Sequence, residues 1–472
     1  MNDFRLLRTH ISSLLFAGDA VFKFKRPLKL PFVDFSTRDR RAHFCAEELR
    51  LNRRTAPQLY RGVVTIAGEP ALWMRRFDEA GLFDTLAREG FLSAAHIDAL
   101  ATAITEFQAR LPPALPVFDA AAVAARWTAA NLRELQARPE LGDLHELVIW
   151  DTAQAAAAAP LLRARQAAGR VVEGHGDLHL GNIVWHEGAP QLFDALEFEP
   201  ELRWGDRIAD PAFTFMDLLD HGLPRLAWRL ISQWCEAGGE HEALPLLRWQ
   251  AAYRAAVRAK VALLQDQAEA AGRRLALARA LAFAAPPTLW VTSGLSGSGK
   301  STVALELLQA AGAVRLRSDV ERKRLHGLAP TARLAGPARL YNAESTARTY
   351  ARLGALAHTA LAAGVSVVVD AACLRRAERD ALRAVAAAAG ARCRLLVCDA
   401  PLAVLRERIV RRQAAGQDPS DADTAVLDLQ WRVQEPVADD EAAERLDTTG
   451  TPAAVAARVA QVAQVAREPG LA

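Results

Sequence analysis

The chain has 472 residues, 51% of them hydrophobic and 24% charged, with a formal net charge of +3. That length excludes a single core and predicts two or three domains, while the composition is ordinary for a globular protein. The charge balance is too mild to argue by itself for nucleic-acid or membrane binding. Five scattered cysteines (Cys45, Cys235, Cys373, Cys393, Cys398) have no C-x-x-C spacing, which fits a reducing compartment and gives no zinc site. The N-terminus lacks a charged-then-apolar leader, and no apolar run matches a bilayer's thickness. A cytoplasmic protein with no membrane partner is the expectation.

In the N-terminal half, Val21–Pro27 alternates apolar and basic residues and predicts a strand with Lys23 and Lys25 on one face. A helix is expected from about Thr37, ending past Glu47, Glu48 and Asn52, with strands at Tyr60–Ile66 and Ala71–Phe77. Residues from about Leu82 to Gln166 carry helical patterning and no polar constellation, which predicts scaffold. Then comes His175-Gly176-Asp177-Leu178-His179-Leu180-Gly181-Asn182, followed by an apolar stretch ending in Asp194. An Asp, an Asn five residues on and a strand-end Asp have the spacing of a protein-kinase-type phosphoryl-transfer site. In that chemistry Asp177 accepts the substrate hydroxyl proton, and Asn182 and Asp194 hold Mg²⁺. Apolar residues on both sides predict a hairpin that carries the metal ligands.

Residues 175–182 resemble the H-G-D-x-H-x-x-N loop of the aminoglycoside phosphotransferase and choline kinase families, which share the protein-kinase-like fold. The resemblance implies an α+β domain over residues 1–285, with Lys23 or Lys25 as the phosphate-contacting strand lysine paired to Glu48 or Glu47. Two features depart from the pattern. The only candidate for a glycine-rich phosphate loop is Phe16-Ala17-Gly18-Asp19-Ala20, and Asp-Phe-Gly is replaced by Asp194-Ala195-Leu196. Glu197 adds a carboxylate, either a third ligand or a structural partner. Within Trp204–Ala212, Asp206 or Asp210 matches the residue that steadies the family's catalytic loop. Helices are expected from about Leu223 to Ala284, and Pro286-Pro287 breaks the last of them.

The C-terminal half opens with an apolar run, Thr288–Thr292, then Gly294-Leu295-Ser296-Gly297-Ser298-Gly299-Lys300-Ser301-Thr302, then helical spacing. Strand, G-x-x-x-x-G-K-S loop and helix together specify a P-loop. Its inward N–H groups and helix N-terminus bind phosphates, Lys300 reaches the β- and γ-phosphates, and Ser301 holds Mg²⁺. Ala313–Asp319 predicts a second strand ending in Asp319-x-x-Arg322, which suits an acceptor site: Asp319 takes the hydroxyl proton and Arg322 holds an anionic group. Val365–Asp370 has the pattern of a Walker B strand, with Asp370 on Mg²⁺ through water. Arg394–Ala400 predicts a fourth strand. The following helix carries Arg408, Arg411 and Arg412, of which Arg408 and Arg412 are candidates to neutralise transition-state charge. Residues 418–422 read as a lid-like loop, and residues from about Asp440 as one amphipathic helix with a tail.

Strands alternating with helices give a doubly wound parallel sheet over residues 286–472. This half resembles small P-loop kinases: gluconate kinase, zeta toxin and the kinase domain of polynucleotide kinase. The whole chain resembles bacterial fusions described as bifunctional aminoglycoside phosphotransferase/ATP-binding proteins. The resulting expectation is a two-domain phosphotransferase using ATP and Mg²⁺ on a small hydroxylated acceptor. A nucleic-acid 5′ end is the alternative acceptor. A P-loop ATPase regulated by an N-terminal pseudokinase is the alternative mechanism.

Overall fold

The computed structural model describes residues 4–30, 33–330, 332, 342–415 and 422–465. They form two compact units, one running up to Leu223 and resuming over Leu246–Ala282, the other made of Pro224–Pro245 and the residues from Phe283 on. Pro286-Pro287 lies just past the third crossing, between Ala282 and Phe283. Pro224–Pro245 precedes that break in sequence yet packs with the second unit.

The first unit opens with a five-stranded antiparallel sheet in the order Phe4–Arg8, Ser12–Ala17, Ala20–Lys25, Glu69–Arg75, Tyr60–Ile66. The first two strands were not apparent in the sequence. The Phe4–Arg8 strand is exposed along its whole length, so no burial pattern marks it. Alternation in the third strand turns Val21, Lys23 and Lys25 to the buried face. The candidate glycine loop is a hairpin turn: Ala17 pairs with Ala20, leaving Gly18 (φ +60°) and Asp19 to reverse the chain. The helix Arg38–Asn52, capped by Thr37 accepting from the Arg40 N–H, packs on the Glu69–Arg75 strand. Its buried positions include Glu48 and Asn52, which makes it a polar support rather than an apolar one. Helices Ala94–Ala109, Ala120–Gln136 and His145–Ala167 supply the expected scaffold. The expected hairpin joins Ile183–His186 to Ala189–Leu192 through Glu187 and Gly188, both at positive φ.

The second unit is a five-stranded parallel sheet in the order Ala313–Arg317, Ser366–Asp370, Thr288–Ser293, Arg392–Asp399, Glu444–Asp447. Four of these strands match the sequence expectation. The fifth corrects the reading of residues past Asp440 as one helix and a tail. This strand is short and on the edge, and only Leu446 is buried, so it carries almost no hydrophobic signal. The core gathers Trp290, Val303, Leu307, Val368, Leu396, Leu446 and Val459. The opposite edge strand, Ala313–Arg317, is covered by the helix Pro224–Gly238. There Ser232 Oγ accepts the edge N–H of Arg315 at 3.0 Å, and such cover protects an open edge. Gly312 allows this approach, because a Cβ there would stand 2.9 Å from Trp228 Nε1. Among the described residues no helix is long and apolar enough to cross a membrane. Most of the lid-like loop lies outside the described residues, with only Ala422 within them.

Candidate active sites

In the first unit both strand lysines meet one carboxylate. Lys23 Nζ lies 2.9 Å from Glu48 Oε1 and 2.5 Å from Asp194 Oδ1. Lys25 Nζ bonds the other Glu48 oxygen and Glu197 Oε1. The cluster is a chain, Asp194–Lys23–Glu48–Lys25–Glu197, of which only Asp194 is well exposed. Burial opposes charge on Lys23, but Asp194 and Glu48 outweigh it and hold the ammonium well above its ordinary pKa. Burial likewise pushes Glu48 up, and the two lysines overcome this and hold it at about 2. Glu47, the alternative partner, instead pairs with Arg50 and Arg203. Glu197, left open by sequence between a third ligand and a structural partner, lies buried against Lys25.

The catalytic-loop residues come together around Asp177. Asn182 Nδ2 donates to the Asp177 backbone oxygen (2.9 Å) and to its Oδ2 (3.1 Å). That fixes the amide orientation and leaves Asn182 Oδ1 as the oxygen that can face a metal. His179 Nε2 stands 3.6 Å from Asp177 Oδ2. Burial would raise the Asp177 carboxyl, but His179, then His175 and Arg254, hold it at about 2, the state a proton acceptor needs. Asp194 adopts φ 61°, with its N–H donating to Tyr60 Oη at 3.0 Å. The next N–H, of Ala195, donates to Asn52 Oδ1 at 2.9 Å. Between the two candidates for steadying the loop, Asp210 takes the His175 and Gly176 N–H groups at 2.8 and 2.9 Å, whereas Asp206 pairs with Arg165 at 2.6 Å. Asp217, missed in the sequence, accepts from Leu180 N–H at 2.8 Å. Nothing in its spacing distinguished it from a solvated helix carboxylate.

In the second unit the loop between Ser293 and Lys300 is packed to the backbone. A Cβ on Gly294 would stand 2.4 Å from Cys398 O, and one on Gly297 (φ +82°) 2.7 Å from Leu405 O. Lys300 Nζ donates to Leu295 O at 2.7 Å, folded back over the loop. Burial lowers its pKa, with Asp370 opposing. Ser301 Oγ donates to Asp370 Oδ1 at 3.1 Å. Asp370 Oδ2 is buried and accepts no hydrogen bond. Arg317 Nε lies 3.5 Å from it. A Ser hydroxyl beside a carboxylate with one oxygen unengaged, at the mouth of an N–H cradle, fits ATP with Mg²⁺: Ser301 and Asp370 would hold the ion and Lys300 the phosphates.

Ser301, Lys300, Asp370, Asp319, Arg322, Arg408 and Arg412 all line one cavity of about 1050 Å³. Asp319 and Arg322 lie on the short helix Ser318–Leu325 that follows the edge strand. Arg322 Nη1 lies 3.3 Å from Thr346 Oγ1. Arg408 is placed as a brace. It bonds Thr448 O at 2.6 Å and Gly297 O at 3.3 Å, while Thr448 Oγ1 donates to Ser298 O at 2.8 Å. Arg412 Nη2 donates to Ala422 O at 2.7 Å. Sequence reasoning missed Thr448, Gln430, whose Oε1 takes the Ser296 N–H at 2.8 Å, and the cavity residues Arg317 and Tyr350. None stands in a motif, and only the fold brings them to the loop.

Residues 289–437 match the family model described as an AAA domain. An uncharacterized protein of Mycobacterium tuberculosis H37Rv is 30% identical over 470 residues, spanning 94% of this chain and 92% of its own. One from Mycobacterium bovis matches to the same extent. Among solved structures, a Janibacter sugar kinase covers 38% of this chain and 96% of its own at 22% identity and a TM-score of 0.30. A Cryptosporidium parvum choline kinase covers 59% of this chain and 88% of its own, at 12% identity and a TM-score of 0.40. The aminoglycoside 2′-phosphotransferase-IIIa covers 59% of this chain and 92% of its own, at 14% identity and 0.38. The C-terminal unit is a parallel-sheet domain built around a P-loop, and its residues 289–437 are those the AAA-domain model matches. With near-complete coverage of both chains, the protein belongs to the same family as these mycobacterial proteins.

Proposed function

We propose that the P-loop unit transfers the γ-phosphoryl group of ATP to a small hydroxylated acceptor. The observation that carries this reading is the single cavity shared by Lys300, Ser301, Asp370, Asp319 and Arg322. Phosphate groups and acceptor can meet there with a base and cations on hand. Asp319 takes the acceptor hydroxyl proton as the oxygen bonds to phosphorus, and ADP leaves with the bond electrons. Lys300 and Arg412 neutralise the charge that develops, Arg408 holds the loop, and Arg322 receives an anionic group of the acceptor. Bound Mg²⁺ supplies charge neutralisation at the phosphates. Tyr350 is the one aromatic ring among the described lining residues, which favours a small acceptor over a single strand needing stacking platforms. In the first unit Asp177 is the base, Asn182 and Asp194 are the metal ligands, and Lys23, held by Glu48 beside Asp194, contacts phosphate while the buried Lys25 braces Glu48.

A second reading of the first unit, a nucleotide-binding regulator, is favoured by the bare turn at Gly18-Asp19, which has no glycine loop to cover phosphates. Labelled ATP offered with sugars, aminoglycosides and 5′-hydroxyl oligonucleotides separates these outcomes. Asp319→Asn is expected to lower transfer to the P-loop acceptor by about 10²–10⁴ while keeping ATP bound. Unchanged transfer in that variant removes Asp319 as the base.

A further inference from the structure

The helix Pro224–Gly238 does more than cover a sheet edge. Its Glu236 reaches two arginines of the edge strand. Oε2 lies 3.1 Å from Arg315 Nη2, and Oε1 lies 3.3 Å from Arg317 Nη1. Arg317 then extends into the cavity wall, with Nε 3.5 Å from Asp370 Oδ2. All members of the chain Glu236–Arg317–Asp370 are at least four-fifths buried at the side chain. The residue at its outer end comes from a segment some fifty positions ahead of the P-loop in sequence, outside the matched 289–437 domain.

We propose that Glu236 is a positioning residue for the P-loop site, holding Arg317 shared between two carboxylates so that Asp370 stays available to Mg²⁺. This rests on the reading of Ser301 and Asp370 as the Mg²⁺–ATP site. The reasoning is electrostatic. An arginine with one carboxylate partner pairs to it fully and competes with a metal for it, and an arginine with two leaves each partly free. Asp370 Oδ2 accepts no hydrogen bond, and its arginine stands 3.5 Å off, as a shared cation would leave it. Glu236 acts through Arg317, and through Arg315 it also fixes the strand that delivers Asp319.

The test is a Mg²⁺ titration of fluorescent ATP-analogue binding to the full chain, following the signal that Lys300→Ala abolishes. If no such signal exists in the wild type, the P-loop reading itself fails. If it exists, Glu236→Gln is expected to raise half-saturating Mg²⁺ about fivefold, with metal-free nucleotide affinity unchanged. Arg317→Gln is expected to lower it, and Glu236→Gln in the Arg317→Gln background to add nothing. An unchanged Mg²⁺ requirement in Glu236→Gln overturns the proposal, as does a shift that persists without Arg317. Should Glu236→Gln fail to fold, Glu236→Asp replaces it. That variant keeps the charge one methylene further from Arg317 and carries the same expected direction at smaller size.

Discussion

Replacing Glu197 by alanine tests the doubled ion-pair cluster of the first unit. Lys25 is almost wholly buried and divides its charge between Glu48 and Glu197. Burial works against its ammonium, and Glu197, then Glu48, outweigh burial and raise its pKa above the ordinary value. A raised folded pKa contributes stability that is complete below the unfolded value of 10.5 and fades as pH climbs through the folded one. Without Glu197, Lys25 shares the single Glu48 with Lys23. Removing one partner of a buried pair costs about 3–5 kcal/mol, which for a unit of this size lowers its melting midpoint by on the order of 10 °C. Burial then dominates at Lys25, so the variant's deficit grows as pH falls below 10, the reverse of the wild-type trend. Replacing both ends, Lys25→Met with Glu197→Leu, removes the desolvated charges and restores most of the loss. Denaturant unfolding of the full chain, with tyrosine and tryptophan probes for each unit, measures all three proteins. The reasoning is refuted if Glu197→Ala unfolds within ~0.5 kcal/mol of wild type, or if the double variant is no better than the single.

Gly297→Ala would set a Cβ 2.7 Å from Leu405 O at φ +82°. Both the clash and the backbone strain fall on the phosphate cradle, so ATP affinity at the P-loop is expected to drop at least ~10-fold by calorimetry; wild-type affinity would show the loop is not the binding element. His241 is buried in the second unit, where burial first, and then the Arg324 charge, lower its pKa from 6.5 to about 3. The unfolded chain binds that proton and the folded one does not, so the unit loses up to ~1.4 kcal/mol per pH unit between 6.5 and about 3. His241→Gln is expected to flatten this slope, read from thermal midpoints across that range.

The legible parts of this chain were those in which one short segment carries its own chemistry. The P-loop, the His175–Asn182 loop and the strand ending in Asp370 each pair a distinctive spacing with an element the sequence also signals. The illegible parts depend on distant segments meeting. The sequence offers Lys25 as one of two lysines that could pair with Glu48, but nothing local shows that Glu197, 172 positions away, also reaches it. The choice between Asp206 and Asp210 depended on which carboxylate faced the His175 and Gly176 amides. Glu236 sits on a helix that the sequence places within the helical run closing the first half, and nothing local assigns that helix to the P-loop sheet. The strand Glu444–Asp447 was missed because edge strands bury too little to show an alternation.

ATP turnover of the full chain, compared across wild type, Lys300→Ala, Asp177→Ala and the double variant, tests the central claim most directly. Lys300→Ala is expected to remove the P-loop activity by about 100-fold or more, Asp177→Ala to leave that activity in place, and the double variant to be silent. Wild-type turnover in the double variant would contradict the assignment of both sites.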